Sequence, residues 1–91
     1  MNALAIEVRD KLLKRLNLSH VDPSSITEQT TLFGANGGLE LDSLDALEIA
    51  ILVEQQYGIA ISVAERTSDV FGTFGNLVAF IAKNRNRDKK V

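Results

Sequence analysis

The stretch that decides the fold is residues 40–48, which read Glu-Leu-Asp-Ser-Leu-Asp-Ala-Leu-Glu. Its single serine, Ser43, stands at the predicted start of an amphipathic helix, with Asp42 before it and Asp45 and Glu48 after it. A serine at this position is exposed and lies over free backbone N–H groups. The acids around it create a negative field that a basic partner approaches favourably. The stretch is therefore a poor setting for a serine nucleophile and a good one for a serine that another protein modifies.

The residues after Asp42 predict a helix over residues 43–57. Asp42 is a suitable N-cap, Asp45 approximates the second half of a capping box, and Gly58 fits the position after the last turn. A helical wheel gives a core side with Leu47, Ala50, Val53 and Tyr57. The opposite side carries Asp45, Glu48, Leu52, Gln55 and Gln56, with Leu44 and Ile51 at the border. Apolar side chains beside acids on an exposed rim indicate a protein-binding face.

Three further helices are predicted around this one. Apolar residues at helical spacing predict the first over residues 2–18. A capping box at Ser62–Glu65 predicts a short third helix over about 63–70. Thr73 is suited to cap a last helix over residues 74–84.

The remaining residues complete the predicted fold. Residues 19–42 have no sustained period, so they are predicted to form a long loop between the first and second helices. The chain has 91 residues, enough for one small helical domain, predicted over residues 1–84 with a basic, disordered tail over 85–91. The predicted fold class is all-α: a small four-helix bundle of three longer helices and a short third one.

Cysteine and long apolar runs are both absent from the sequence. The first absence excludes disulfides, thiolate metal sites and cysteine catalysis, and it fits a reducing compartment. No signal peptide is visible, and no apolar run approaches the ~20 residues that a membrane span needs. These features predict a cytoplasmic protein without a membrane span.

Charge is strongly segregated along the chain. None of the ten Lys and Arg residues lies between Leu16 and Glu65. That interval carries the acids Asp22, Glu28, Glu40, Asp42, Asp45, Glu48 and Glu54. Such a field repels nucleic acid and attracts a basic protein surface. No nucleic-acid partner is therefore expected.

Three other kinds of site fit the residues poorly. A serine hydrolase needs a positioned base, and the only histidine, His20, lies in the predicted loop. The acids around Ser43 lack the alternate oxygen ligands and central glycine of a calcium loop, so no metal site is predicted. The loop glycines precede the helix by several residues, and no lysine follows them, which disfavours a phosphate cradle.

One chemistry does fit Ser43. A phosphodiester-linked group on its hydroxyl would place an anion at the positive end of the helix, where free N–H groups and the dipole favour it. The neighbouring acids oppose this anion, but they are solvated and screened. Their expected use is recognition by another protein.

Residues 41–48, Leu-Asp-Ser-Leu-Asp-Ala-Leu-Glu, resemble the acyl carrier protein family, whose Asp-Ser-Leu signature precedes an acidic helix. The order of elements follows that family over about residues 3–82. The resemblance implies that Ser43 receives 4′-phosphopantetheine from coenzyme A through a separate phosphopantetheinyl transferase. It also implies a carrier rather than an enzyme, in which the thiol of the arm holds acyl groups as thioesters.

The resemblance also implies a partner surface and an acyl-binding interior. The partner-recognition residues are Asp42, Leu44, Asp45, Glu48 and Ile51. The residues of the core and acyl cavity are Leu47, Ala50, Val53, Ile61, Phe74 and Leu77. The implied partners are acyltransferases, ketosynthases and reductases, or acyl-activating enzymes, with basic patches. The carrier is expected to be a monomer.

Several residues depart from the family's common pattern. Glu40 stands where a glycine is frequent, residues 34–38 lengthen the loop, and Gln55 and Gln56 replace acids. These departures favour a carrier for a specialised lipid or polyketide pathway over a housekeeping fatty-acid carrier. Two alternatives stay open: a peptidyl or aminoacyl carrier, and an unmodified acidic helical interaction module.

Overall fold

The computed structural model describes residues 2–33, 39, 41–62 and 69–88. Three α-helices lie in these residues: α1 at Ala3–Arg15, α2 at Ser43–Tyr57 and α3 at Phe74–Asp88. Two 3₁₀ turns, Pro23–Ser25 and Asp69–Phe71, lie between them. Each helix contacts the other two, and their buried residues form one core. The fold is therefore small and all-α. No helix in the described part is long and apolar enough to cross a membrane.

The predicted count of four helices is wrong for this fold, because the described residues contain three. The short third helix was predicted over residues 63–70, of which 63–68 lie outside the described residues. The next residues, Asp69–Phe71, form a 3₁₀ turn instead of a last α-helical turn. This turn places the Phe71 ring in the core, 2% exposed, and stacks it on Phe33 with ring centroids 5.7 Å apart.

α1 begins at a side-chain cap and ends at a left-handed residue. The Asn2 side chain accepts a hydrogen bond from the Ala5 N–H at 2.8 Å, which satisfies one free donor of the first turn. Asn17 has φ of 56°, a conformation that asparagine tolerates and that a helix cannot continue through. The helix therefore ends at Arg15, three residues before the predicted end.

α2 has the bounds that the sequence predicts, and the reason is local. Asp42 and Asp45 form a capping box at its start. Gly58 has φ of 69° and lies in the left-handed region just past Tyr57. Nothing lies within 4 Å of a Cβ placed on Gly58, so its backbone angle alone calls for glycine there.

α3 begins under the long loop. The Thr73 hydroxyl oxygen accepts from the Asn76 N–H at 3.1 Å, which confirms the predicted cap. Loop carbonyls also accept from the first turn: Thr30 from the Phe74 N–H at 2.8 Å and Glu28 from the Gly75 N–H at 2.9 Å. A Cβ on Gly75 would lie 2.7 Å from the Glu28 carbonyl oxygen, so this close approach requires glycine. The helix runs to Asp88, four residues past the predicted end at residue 84.

The loop between α1 and α2 is held to the core by apolar side chains. Ile26 is 3% exposed and Leu32 is 0% exposed. Isolated β-bridges join Thr31 to Thr73 and Phe33 to Leu41. The loop is therefore anchored before α2 begins, and this anchoring fixes where the first turn of α2 points.

Candidate functional site

Ser43 is the first residue of α2, and its neighbours use the helix start for capping. Asp42 Oδ1 accepts from the N–H groups of Leu44 at 3.0 Å and Asp45 at 3.1 Å. Asp45 Oδ2 accepts from the Asp42 N–H at 3.1 Å. The predicted free N–H groups under Ser43 are therefore largely engaged, and the helix start is not an open anion cradle.

The Ser43 side chain is exposed, and no hydrogen bond joins its hydroxyl to another described residue. The two serines of the first 3₁₀ turn differ in this respect. The Ser24 hydroxyl donates to Asp22 Oδ1 at 2.8 Å, and the Ser25 hydroxyl donates to the Asp22 carbonyl oxygen at 2.7 Å. Among the described residues, Ser43 thus presents a hydroxyl without a hydrogen-bond partner beside an acidic cap.

An exposed apolar stripe follows Ser43 along α2. Leu44 is 71% exposed and Leu47 is 43% exposed, while Ile51 is partly buried. The spacing of three and four residues puts these side chains on one helix face, and we call Leu44, Leu47 and Ile51 the exposed stripe. The prediction that Leu47 lies in the core is wrong. The core is on the opposite side of α2, where Ile49, Ala50, Leu52 and Val53 are buried.

Leu52 was predicted on the polar side of α2, and this was also wrong, since it is 6% exposed. α2 packs against α1 and α3 at once, so its buried arc spans two neighbours. A wheel of one helix contains no information on where those neighbours lie. The other residues predicted for the interior are buried: Ala50, Val53, Ile61, Phe74 and Leu77. Their role in sheltering an acyl chain stays a prediction.

The predicted recognition acid Glu48 is not free. Its Oε1 atom lies 2.9 Å from Arg15 Nε on α1. The same guanidinium donates through Nη1 to Gln55 Oε1 at 3.1 Å. One arginine of α1 therefore spans two turns of α2. The sequence signal for this contact is weak: Arg15 and Lys11 are four residues apart on one face of α1, but nothing local pairs that face with α2.

A second polar cluster joins α1 to the last turn of α2. The Tyr57 hydroxyl donates to Glu7 Oε2 at 2.6 Å, and Lys11 Nζ lies 3.7 Å from the same oxygen. Lys11 Nζ also lies 5.2 Å from the Tyr57 ring centroid, and Arg85 Cζ lies 6.0 Å from it, both within cation–π range.

This cluster shifts two pKa values in opposite directions. The hydrogen bond from Tyr57 is the main cause that lowers the pKa of the Glu7 carboxyl, and Lys11 adds to it. Burial, followed by the bond to Glu7, raises the pKa of the Tyr57 hydroxyl. The charged carboxylate and the neutral phenol are thus the forms that the fold favours.

The geometry does not support a hydrolase or a metal centre. His20 lines a surface pocket with residues such as Leu18 and Thr31, and neither Asp42 nor Ser43 lines that pocket. In the part of the chain that the structure describes, no three His, Cys, Asp or Glu side chains converge as metal ligands would.

Comparison with known protein families gives the decisive observation. Residues 6–81 match the family described as "Phosphopantetheine attachment site". The chain belongs to this family. The match covers most of the chain, including most of α1, all of α2 and the first half of α3.

A curated relative of this carrier supports the same assignment. A Schizosaccharomyces pombe protein named as a mitochondrial acyl carrier protein is 33% identical over 63 residues. The aligned part covers 69% of this chain and 52% of that protein, so the chain spans about half the length of the relative that it matches. The predicted membership of the acyl carrier protein family is confirmed.

Membership in the family settles the cofactor and the class of function. The phosphopantetheine attachment family carries a covalently attached 4′-phosphopantetheine, as predicted. Its carrier domains are not catalytic, and they work with partner enzymes.

The cytoplasmic location predicted from the sequence is contradicted by the mitochondrial name of the relative. The physical reason is that the absence of cysteine only indicates a reducing compartment, and the cytoplasm is not the only such compartment.

Proposed function

We propose that Ser43 carries the 4′-phosphopantetheine arm and that the protein presents acyl groups on this arm to partner enzymes. The pathway class is fatty-acid, specialised lipid or polyketide biosynthesis. The observation that carries the proposal is the exposed Ser43 hydroxyl, which makes no hydrogen bond to another described residue and stands at the start of α2. A transferase can reach such an oxygen without first breaking a contact of the fold.

Attachment of the arm makes an O-linked phosphodiester on Ser43. Attachment forms a bond between Ser43 Oγ and phosphorus, breaks the pyrophosphate bond of coenzyme A, and releases adenosine 3′,5′-bisphosphate. The serine proton passes to the separate transferase, because no base of this chain contacts the hydroxyl among the described residues. When bound, the arm supplies a thiol that holds acyl groups as thioesters.

The capping box limits what the fold does to the attached group. Because Asp42 occupies the N–H groups of Leu44 and Asp45, these two donors are not available to the phosphodiester. Both carboxylates also repel an anion next to them. The chain therefore tethers the phosphate through its covalent bond rather than through a cradle, which suits an arm that visits several enzymes.

The partner surface combines the exposed stripe with the acids of the first turn. Leu44, Leu47 and Ile51 offer apolar contact, and Asp42 and Asp45 offer negative charge at one end. A fitting partner places an apolar patch against the stripe and basic side chains near Ser43. The candidate partners are a phosphopantetheinyl transferase and the acyltransferases, ketosynthases, reductases or acyl-activating enzymes of its pathway.

A mitochondrial site of action is proposed on the strength of the relative's name alone. Fractionation of the source cells, with the protein followed by its intact mass, tests this location. Recovery of the protein outside mitochondria would contradict it.

Loading of the purified protein tests the attachment residue. The protein is incubated with coenzyme A, Mg²⁺ and a promiscuous phosphopantetheinyl transferase, and its intact mass is recorded. We expect one added phosphopantetheinyl group on the wild type and on Ser24→Ala, and none on Ser43→Ala. Ser24→Ala is the matched control, since it removes an exposed serine hydroxyl that also neighbours an acidic cap. Loading of Ser43→Ala would contradict the proposal, and a wild type that gains no mass would favour an unmodified interaction module.

A further inference from the structure

The acidic face of α2 is not uniformly negative once the chain has folded. Asp42 and Asp45 lie beside Ser43, and among the described residues no basic side chain forms an ion pair with either of them. Glu48, one turn further on, lies 2.9 Å from Arg15 Nε. A partner that approaches Glu48 therefore meets a carboxylate whose charge is already balanced.

The basic side chains continue beyond Glu48 along the same edge of α2. Arg15 Nη1 donates to Gln55 at 3.1 Å, and Lys11 Nζ donates to Gln56 at 3.0 Å. Together Glu48, Gln55 and Gln56 form what we call the α1-facing edge. Two cations of α1 reach this edge, and each lies beside a carboxylate: Arg15 beside Glu48 at 2.9 Å and Lys11 beside Glu7 at 3.7 Å, so the edge has no net negative charge. Glu54 is the remaining acid of α2, and it is exposed. It lies three residues after Ile51, so it is on the side of the exposed stripe and not on the α1-facing edge.

The Arg15 contact is suited to hold Glu48 rather than to stabilise the fold. The two side chains keep 29% and 46% of their exposure, and exposed ion pairs contribute little to stability. Arginine, however, presents several donors in a rigid fork, and here two of them reach acceptors that lie two turns apart on α2. The fork fixes the guanidinium over Glu48 before any partner arrives.

We propose that Arg15 masks Glu48, so that the docking face is negative at Asp42 and Asp45 and neutral one turn further on. The fitting partner places basic residues against Asp42 and Asp45, and an uncharged polar residue against the Arg15–Glu48 pair. This inference rests on the proposed function, because it concerns the partners of the carrier. It assigns the selectivity of docking to a residue of α1, outside the signature helix.

A double-mutant cycle on the loading reaction tests whether Arg15 masks the charge of Glu48. The KM of one transferase with a basic docking patch is measured at low salt for the wild type, Arg15→Gln, Glu48→Gln and the double variant. We expect Glu48→Gln to change KM by under about twofold in the wild type, and to raise it roughly twofold to fivefold in the Arg15→Gln background, the range for exposed charge pairs. Arg15→Gln alone lowers KM by a similar factor, since it exposes the carboxylate.

Lys14→Gln is the matched control, because it removes the same charge from the neighbouring position of α1. Lys14 is exposed and makes no contact with Glu48. We expect its effect on KM to be independent of Glu48. Equal effects of Glu48→Gln in the wild-type and Arg15→Gln backgrounds would overturn the mask, as would equal coupling of Lys14 and Arg15 to Glu48.

The same experiment separates this inference from the proposed function. Loaded wild-type protein without Arg15–Glu48 coupling rejects the mask and leaves Ser43 as the attachment residue. Failure to load any variant rejects both. Thermal unfolding followed by circular dichroism checks that each variant is folded, and Arg15→Ala provides a second variant that must show the same coupling as Arg15→Gln.

Discussion

The exposed stripe and the α1-facing edge belong to the same helix, yet they differ in what they leave available to another protein. The stripe follows Ser43 along α2, its residues Leu44 and Leu47 keep much of their exposure, and no basic side chain of the described residues forms an ion pair beside it. The edge is tied to α1 through Arg15 and Lys11. The difference teaches that a run of acids in a sequence does not define a negative surface, because a neighbouring helix can neutralise part of it.

The largest expected effect separates the stripe from the core behind it. Ile49→Ala removes a side chain that is 0% exposed, so we expect a loss of about 2–5 kcal/mol in the free energy of unfolding. Leu47→Ala, its matched control two residues away, should cost about 0.5 kcal/mol or less, as for surface substitutions. Urea unfolding measures both. Equal losses would mean that Leu47 packs in the core and that the stripe is not free.

The cap of α2 gives the next effect. Asp42→Ala removes the acceptor for two backbone N–H groups, so we expect a loss of about 1 kcal/mol in the free energy of unfolding. Asp42→Asn keeps an acceptor oxygen and should retain most of the stability. Because Asn lacks the charge, it should still weaken docking of a basic partner. Stability and transferase KM, measured side by side on both variants, separate the two roles, and an Asn variant with unchanged KM at low salt would remove Asp42 from the partner surface.

The smallest expected effect concerns Tyr57, in the last turn of α2, and its contact with Glu7 of α1. Tyr57→Phe removes the hydrogen bond to Glu7, and because this contact is exposed we expect a loss under about 1 kcal/mol in the free energy of unfolding at neutral pH. Thermal or urea unfolding at several pH values measures it.

The pH dependence of that loss follows from the directions of the two shifts. The pKa of Glu7 is lowered in the folded protein, so its contribution is present above the ordinary value of 4.5 and is lost as pH falls through the lower folded value. The pKa of Tyr57 is raised, so its contribution is present below the ordinary value of 10.0 and is lost as pH rises through the higher folded value. The difference between the wild type and Tyr57→Phe should therefore shrink at both extremes. In a Glu7→Gln background the acid limb should vanish, and its persistence would contradict this assignment.

The parts of the fold that the sequence predicted correctly depend on local interactions. The bounds of α2 are determined by residues next to them in sequence: Asp42 and Asp45 at the start and Gly58 at the end. The structure has the predicted bounds. The signature around Ser43 is equally local, and it led to the right family.

The errors arose where packing between distant segments decides the outcome. Leu47 was predicted on the core side of α2 and Leu52 on the polar side, and the structure shows the reverse. The reason is that α1 and α3 determine which arc of α2 is buried. Arg15 reaches Glu48 across 33 positions of sequence, and no periodicity signals that contact. The predicted helix count was wrong, since the described residues contain three helices, and where the predicted short helix reaches them, residues 69–71 form a 3₁₀ turn that buries Phe71.

The most direct test of the central claim is to locate the modification on the loaded wild-type protein. Fragmentation of the peptide that spans residues 41–48 by tandem mass spectrometry distinguishes Ser43 from every other hydroxyl of the chain. We predict the phosphopantetheinyl group on Ser43 alone. A group found on Ser24, on Ser25 or on any other residue, with Ser43 unmodified, would contradict the account.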